Sequence, residues 1–208
     1  VEKGNAGNPT TVQDDREGKL GYDRCIMREL FSRAVVLDRK DMGDVDGAVS
    51  LFTEDFGKVV ARATSIRKIT SKLSGHLQPL SFVKVRLVQR AGPANGFTVA
   101  DGIVDDATGN SEIHRRHDLL PALALVDALA PQFQTDRRVW HFLVEVFKKH
   151  HRPNQITRGL LTLFGFAPDH ACCTRCSGAP PAAFVIREQA FVCGRCASKA
   201  GGNGIVYI

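Results

Sequence analysis

No run in this 208-residue sequence approaches the roughly 18 apolar residues that cross a bilayer, and no apolar signal segment opens it. The expectation is a cytoplasmic protein with no membrane partner. There is no Gly-x-x-x-x-Gly-Lys loop, which argues against an ATP-driven motor, and no His-Glu-x-x-His pair to leave an open metal position. No Ser-His-Asp arrangement is suggested either, so a binding protein is expected rather than an enzyme. The most telling absence is of acid: from Phe56 to Ala100 there is neither Asp nor Glu. The same stretch carries Lys58, Arg62, Arg67, Lys68, Lys72, Lys84, Arg86 and Arg90. Clustered cations without counter-charges exceed what solubility needs, and they match a phosphate backbone. The formal charge of the whole chain is +6, within a composition (43% hydrophobic, 24% charged) typical of a globular protein.

Cysteine is scarce but patterned. Cys173 and Cys176 form one Cys-x-x-Cys pair, and Cys193 and Cys196 form a second. This doubled spacing reads as a four-thiolate site for one structural Zn²⁺, because two tight turns facing each other close a tetrahedron of sulfurs. Two disulfides would suit a small secreted domain, and a redox pair would need a helix beside a parallel sheet; neither context is visible. Cys172 is adjacent to the first pair but breaks the regular spacing, and Cys25 is read as an ordinary reduced cysteine. The runs Ala183 to Ile186 and Gln189 to Val192 are β-prone and predict a hairpin between the two turns.

Along the chain, residues 1–26 are rich in Gly, Asn, Asp and Thr without apolar periodicity and predict a disordered extension. Residues 27–106 carry five strand-like runs: Ala34 to Leu37, Ala48 to Thr53, Lys58 to Thr64, Leu80 to Val88 and Gly96 to Val104. The second and third are joined by a turn in which Gly57 supplies a positive φ. Short strands with no helical pattern between them predict a small antiparallel barrel of five strands, and an OB fold is the economical form. Beyond a polar boundary the period becomes helical over 111–170. Expected caps are Ser111, Thr135 and Asn154, with Pro121 kinking or restarting the first helix and Gly165 ending the third. Trp140 lies on an ordinary core stripe. The zinc module occupies 171–200. The tail 201–208 ends in Ile205-Val206-Tyr207-Ile208, an apolar segment that should pack in cis or on a partner. The fold class is therefore α+β: an N-terminal five-stranded OB-fold β-barrel, then an α-helical domain with an embedded four-cysteine zinc ribbon.

Candidate DNA contacts follow from alternation in the fourth strand. Phe82, Lys84 and Arg86 share one face, and Val83, Val85 and Leu87 the other. An aromatic flanked by cations suits a single strand, with rings stacking on bases and cations tracking phosphates, while the other reading of Phe82 is a cap on the barrel core. Arg62 joins this set, and so do Arg67, Lys68 and Lys72, read as a mobile basic arm between Ser65 and Gly75. Lys148 and Lys149, in the run Lys148-Lys149-His150-His151-Arg152, form a second candidate phosphate contact.

Taken in this order, barrel, helices and cysteines resemble the bacterial RecO family. In the barrel the resemblance rests on AVVLDRKDMGDVDGAVSLFTEDFGKVVARATSIRKITSKLSGHLQPLSFVKVRL, where the basic loop leading into SKLSGHLQPLSFV looks like the family's hallmark stretch. Further on it rests on LLTLFGFAPDHACCTRCSG, a helix running through a Gly-aromatic-x-Pro turn into the first cysteine pair. The resemblance implies a nucleoid-associated recombination mediator in DNA repair. Such a protein binds single- and double-stranded DNA and anneals complementary strands. It also works with RecR to load RecA onto strands coated by single-stranded DNA-binding protein (SSB), whose tail docks on the helical domain. Chains of that family usually continue past the cysteines with further helices that help complete this domain, whereas this sequence ends at Ile208. A different class, a zinc-ribbon scaffold binding RNA or protein in transcription or translation, would share barrel and ribbon but not DNA preference and annealing.

Overall fold

The computed structural model describes residues 28–68, 71–89, 96–105, 117–149, 151–176, 179–200 and 204–208. The predicted disordered extension, Cys25, Arg90 and the Ser111 cap lie outside the described residues. Five strands come first: β1 (Arg28–Met42), β2 (Asp46–Thr53), β3 (Gly57–Ala63), β4 (Phe82–Gln89) and β5 (Phe97–Val104), with a short helix α1 (Lys72–His76) between β3 and β4. They close on themselves in the order β1-β2-β3-β5-β4. Closure depends on the length of β1. Its first half pairs with β4, from Arg28↔Gln89 to Val35↔Phe82, and its second half with β2, from Ala34↔Thr53 to Met42↔Asp46. A register shift between Val36 and Asp38 bends the strand from one partner towards the other.

The sheet is mixed, and this corrects the antiparallel OB-type barrel expected from the sequence. β3 and β5 run parallel, pairing Ala61 with Phe97 and Arg62 with Thr98. Side chains alternate with period two in either sense, so apolar patterning alone carries no information about strand direction. The sheet is also not simply followed by a separate helical layer. Its inside is filled by Ala34, Val36, Leu51, Val59, Val85, Leu87 and their neighbours. On the outside, Val35, Leu37, Phe52, Leu80 and Phe82 form a single second core with the helices. Burial on both faces explains why Ala34 to Leu37 and Leu51 to Thr53 read as continuous runs rather than alternations.

The helices are α2 (Leu120–Leu129), α3 (Arg137–Lys148) and α4 (Pro153–Leu163). Pro121 marks a restart, since it falls in the first turn of α2, where a missing N–H costs no hydrogen bond. The other caps shift by a residue or two from those predicted. Asp136, not Thr135, caps α3 by accepting from the Arg138 and Val139 amides at 2.9 and 3.3 Å. Arg152, not Asn154, is the N-cap of α4, because Pro153 takes the first helical position. Gly165 follows α4 at φ +89, as expected of a helix end. Among the described residues no helix is long and apolar enough to cross a membrane.

The last part of the chain forms a three-stranded antiparallel sheet in the order β7-β6-β8, from β6 (Ala183–Val185), β7 (Ala190–Val192) and β8 (Ile205–Tyr207), with α5 (Gly194–Ala200) beside it. The predicted hairpin is β6–β7. The apolar tail packs in cis as β8, pairing Phe184 with Val206. Phe184 and Phe191 belong to the helical core, and Phe166 of the Gly165-Phe166-Ala167-Pro168 turn meets both rings, at 4.8 and 6.4 Å between centroids.

Candidate functional site

Two constellations carry chemistry, one on the outer face of the closed sheet and one in the cysteine module. On the sheet, β1, β4 and β5 lie side by side. Register places Phe31 beside Arg86 and Arg86 beside Asp101; one step along, Arg33 lies beside Lys84 and Lys84 beside Ile103. These six side chains line a groove of about 480 Å³. The alternation read from β4 holds here, since Lys84 and Arg86 point outward while Val83, Val85 and Leu87 are buried.

Phe82 does not belong to this groove. It projects from the same face of β4, but at the end covered by α3, where it is 0% exposed. Its ring meets Trp140 and Phe147 edge-on at 5.8 and 4.7 Å. A fully enclosed ring offers no face to a base, so the stacking contact expected there is corrected. The aromatic that lines this groove is Phe31, 66% accessible, and Ile103 across the groove is 58% accessible. Sequence reading passed over both. Phe31 was findable, because period-two alternation sets it between the charged Glu29 and Arg33 on one face of the strand.

The stretch without acids is not an unpaired positive surface. Acids from outside it come back in space: Arg62 Nε hydrogen-bonds Asp46 at 3.0 Å, Arg67 lies 3.5 Å from Asp41, Lys84 3.6 Å from Asp105, and Arg86 3.3 Å from Glu29. Lys58 pairs with Asp127 at 3.0 Å beneath α2. Lys68 and Lys72 are exposed and make no ion pair among the described residues. The basic arm is tethered at both ends rather than loose, since Ile66 and Leu77 are fully buried in the inner core. Lys148 and Lys149 are exposed at the end of α3, with Lys149 2.8 Å from Glu145. The Arg67–Asp41 and Arg86–Glu29 pairs are exposed on both sides, and such pairs contribute only about 0–1 kcal/mol, so a phosphate can take the place of either acid. Arg33 is held more firmly. It donates to both carboxylate oxygens of Glu54, at 2.7 and 2.8 Å, and its guanidinium lies 5.8 Å from the centroid of Trp140.

In the cysteine module the sulfurs of Cys173, Cys176, Cys193 and Cys196 all lie within 4.8 Å of one another. Cys172 is exposed and outside the cluster. The Cys176 and Cys193 sulfurs are 3.7 Å apart. A disulfide would bring them to about 2.05 Å, whereas four sulfurs about 2.3 Å from a central Zn²⁺ stand about 3.8 Å apart. The donor set therefore fits a tetrahedral, thiophilic metal. The module itself sets the positions: the Cys173 amide donates to Ala179 at 3.0 Å, the Thr174 amide to Phe191 at 3.0 Å, and the second pair opens α5. A backbone hydrogen bond from Cys193 brings the Cys173 thiol down to about 6, and one from Cys196 lowers Cys193. Hydrogen bonding with Cys193 pushes Cys196 up to about 12. A dication among them would favour the thiolate of all four.

Residues 27–98 match the family described as Recombination protein O N terminal. The chain is similar to the DNA repair protein RecO of Dehalococcoides mccartyi, 28% identical over 158 residues that make up 70% of this chain and 60% of that one. It is similar to the RecO proteins of Bacillus velezensis, 26% identical over 79% of this chain and 68% of the relative, and of Pelotomaculum thermopropionicum, 25% identical over 80% and 68%. Against the first of these relatives the chain spans 60% of the length. The identity is low, but the match recurs from one relative to the next, and it makes this chain a homologue of the bacterial RecO proteins.

Proposed function

We propose that this protein is a DNA-binding recombination mediator rather than an enzyme. The observation that carries the reading is the repeated homology to DNA repair proteins over 70 to 80% of the chain. The resemblance extends the reading to single- and double-stranded DNA, to annealing of complementary strands, and to loading of RecA with RecR onto SSB-coated strands in the bacterial cytoplasm. The outer face of β1, β4 and β5 supports it, because Lys84 and Arg86 lie side by side there in an open groove. Lys68 and Lys72 add exposed charge near α1. Cations on phosphates position a strand without reading it, so binding is weakly sequence-dependent. They also screen the repulsion between two strands while leaving the bases free to pair, which is what annealing needs. The four cysteines hold one structural Zn²⁺ that keeps the module folded and takes no part in DNA chemistry.

The test is a strand-annealing assay with a salt titration on the wild-type chain and on Lys84→Ala/Arg86→Ala. Affinity for a single strand should fall with salt by a log–log slope of roughly −0.7 per phosphate neutralised. The double variant should bind more weakly, with a shallower slope. Unchanged affinity and slope in a folded variant would move the contact to Lys148, Lys149 and Arg152. A pull-down with RecR and SSB tests the protein contacts separately.

A further inference from the structure

We infer that the groove between Phe31 and Ile103 seats an unstacked base of single-stranded DNA, and so separates single strands from duplex. This rests on the DNA-binding reading above. Phe31 on β1 and Ile103 on β5 are largely exposed and stand diagonally across β4, whose Lys84 and Arg86 rise between them. With strands about 4.8 Å apart and about 3.4 Å per residue, the two α-carbons are roughly 12 Å apart. Apolar walls on either side of a cationic centre ask for a ligand with a flat apolar face and an anion close to it.

An unpaired nucleotide has both. A duplex does not, because its base faces are stacked inside and its surface is phosphate, sugar and base edges. Arg86 can release Glu29, 3.3 Å away in an exposed pair, and take up the phosphate instead. Asp101, on the far side of Arg86 from Phe31, repels phosphate. The backbone of the strand therefore follows Lys84 and Arg86 while the base turns towards Phe31. Arg33, engaged by Glu54, stays as part of the wall and is not a phosphate ligand. The ring that stacks is thus Phe31, on the strand next to the one that carries the cations.

The experiment compares wild type, Phe31→Ala and Phe31→Trp by fluorescence anisotropy on a labelled, non-pairing single strand and on a duplex of the same length. A second single strand carries 2-aminopurine, whose emission reports stacking. Phe31→Ala should weaken single-strand binding by about tenfold, leave duplex affinity and the salt slope unchanged, and abolish the 2-aminopurine response. Phe31→Trp should restore both. Phe31→Ala with unchanged single-strand affinity, or with equal losses on the two forms, overturns the inference. Wild-type protein that binds neither form overturns the DNA-binding reading itself; wild-type binding with an inert Phe31 overturns only the base seat.

Discussion

A Cβ added to Gly57 would lie 2.0 Å from the carbonyl oxygen of Gln134. Gly57 sits at φ +67 in the β2–β3 turn, and Gln134 belongs to the link between α2 and α3, so this is where the sheet meets the helices. The link is pinned on both sides of the contact: the Phe133 amide donates to Lys58 at 3.0 Å, and the Thr135 hydroxyl to Asp55 at 2.9 Å.

Gly57→Ala should therefore cost more than the roughly 1–2 kcal/mol of a left-handed non-glycine residue, because backbone has to move as well. Gly43 provides the control. It sits at φ +65 with nothing within 4 Å of an added Cβ, so Gly43→Ala should show the backbone cost alone. Urea midpoints of the two variants check this. Equal destabilisation would mean that the Gln134 segment gives way freely.

Glu54 makes the same junction sensitive to pH. The hydrogen bond from Arg33 holds its carboxyl below the ordinary value, with a smaller contribution from Trp140 and against the opposing effect of burial. A carboxylate depressed in the folded state stabilises the protein above its unfolded pKa, and that stability is lost as pH falls through the folded value. Asp46, lowered chiefly by the Ser65 amide, and Asp136, lowered chiefly by Arg138, act in the same direction. Stability should thus decline below about pH 4.5, near the unperturbed carboxylate range. Glu54→Gln should flatten part of that decline; an equally steep decline in the variant would remove Glu54 as a contributor.

Phe82 is a core residue and should behave as one. Phe82→Ala should cost about 3–5 kcal/mol, as expected for an emptied aromatic site. Phe82→Leu retains much of the volume, and once folded it should bind DNA like the wild type. A folded Phe82→Leu protein that binds single strands tenfold more weakly would return the ring to the interface.

What the sequence made legible and what it hid divide along physical lines. The cysteine cluster was legible because its chemistry is local: each pair is a turn, and the hairpin between them is marked by β-prone runs. The strands were legible in number but not in sense, since the parallel β3–β5 contact leaves no trace in alternation. The first strand was underestimated because Arg28 to Arg33 and Lys40 to Met42 hold no buried residue and are mostly polar. Phe82 was left open between base stacking and the core, because alternation says which face a residue occupies but not whether a helix covers that face. The acid-free stretch misled for a similar reason. Glu29, Asp41, Asp46 and Asp105 lie outside it in sequence and beside it in space.

The cysteine module ties metal and tail together, and the last prediction concerns that coupling. β8 completes the β7-β6-β8 sheet, with Val206 buried, and β6 and β7 lie between the two cysteine pairs in the chain. A structural metal's binding energy is folding energy, so loosening the sheet should weaken the site, and emptying the site should loosen the sheet. Purified protein should carry one zinc per chain. Cys172→Ala should leave that content intact, whereas Cys196→Ser should lower it. Deleting residues 205–208 should ease removal of zinc by a competing chelator, although no ligand is touched. Hydrogen exchange provides the reverse reading: chelation should expose the amides of β6 and β7 while those of β2 and β3, in the inner core, remain protected. Iron in place of zinc, or less than half an equivalent of any metal in folded protein, would sink the assignment. Zinc retained at full affinity after the deletion would leave the site standing but separate it from the tail.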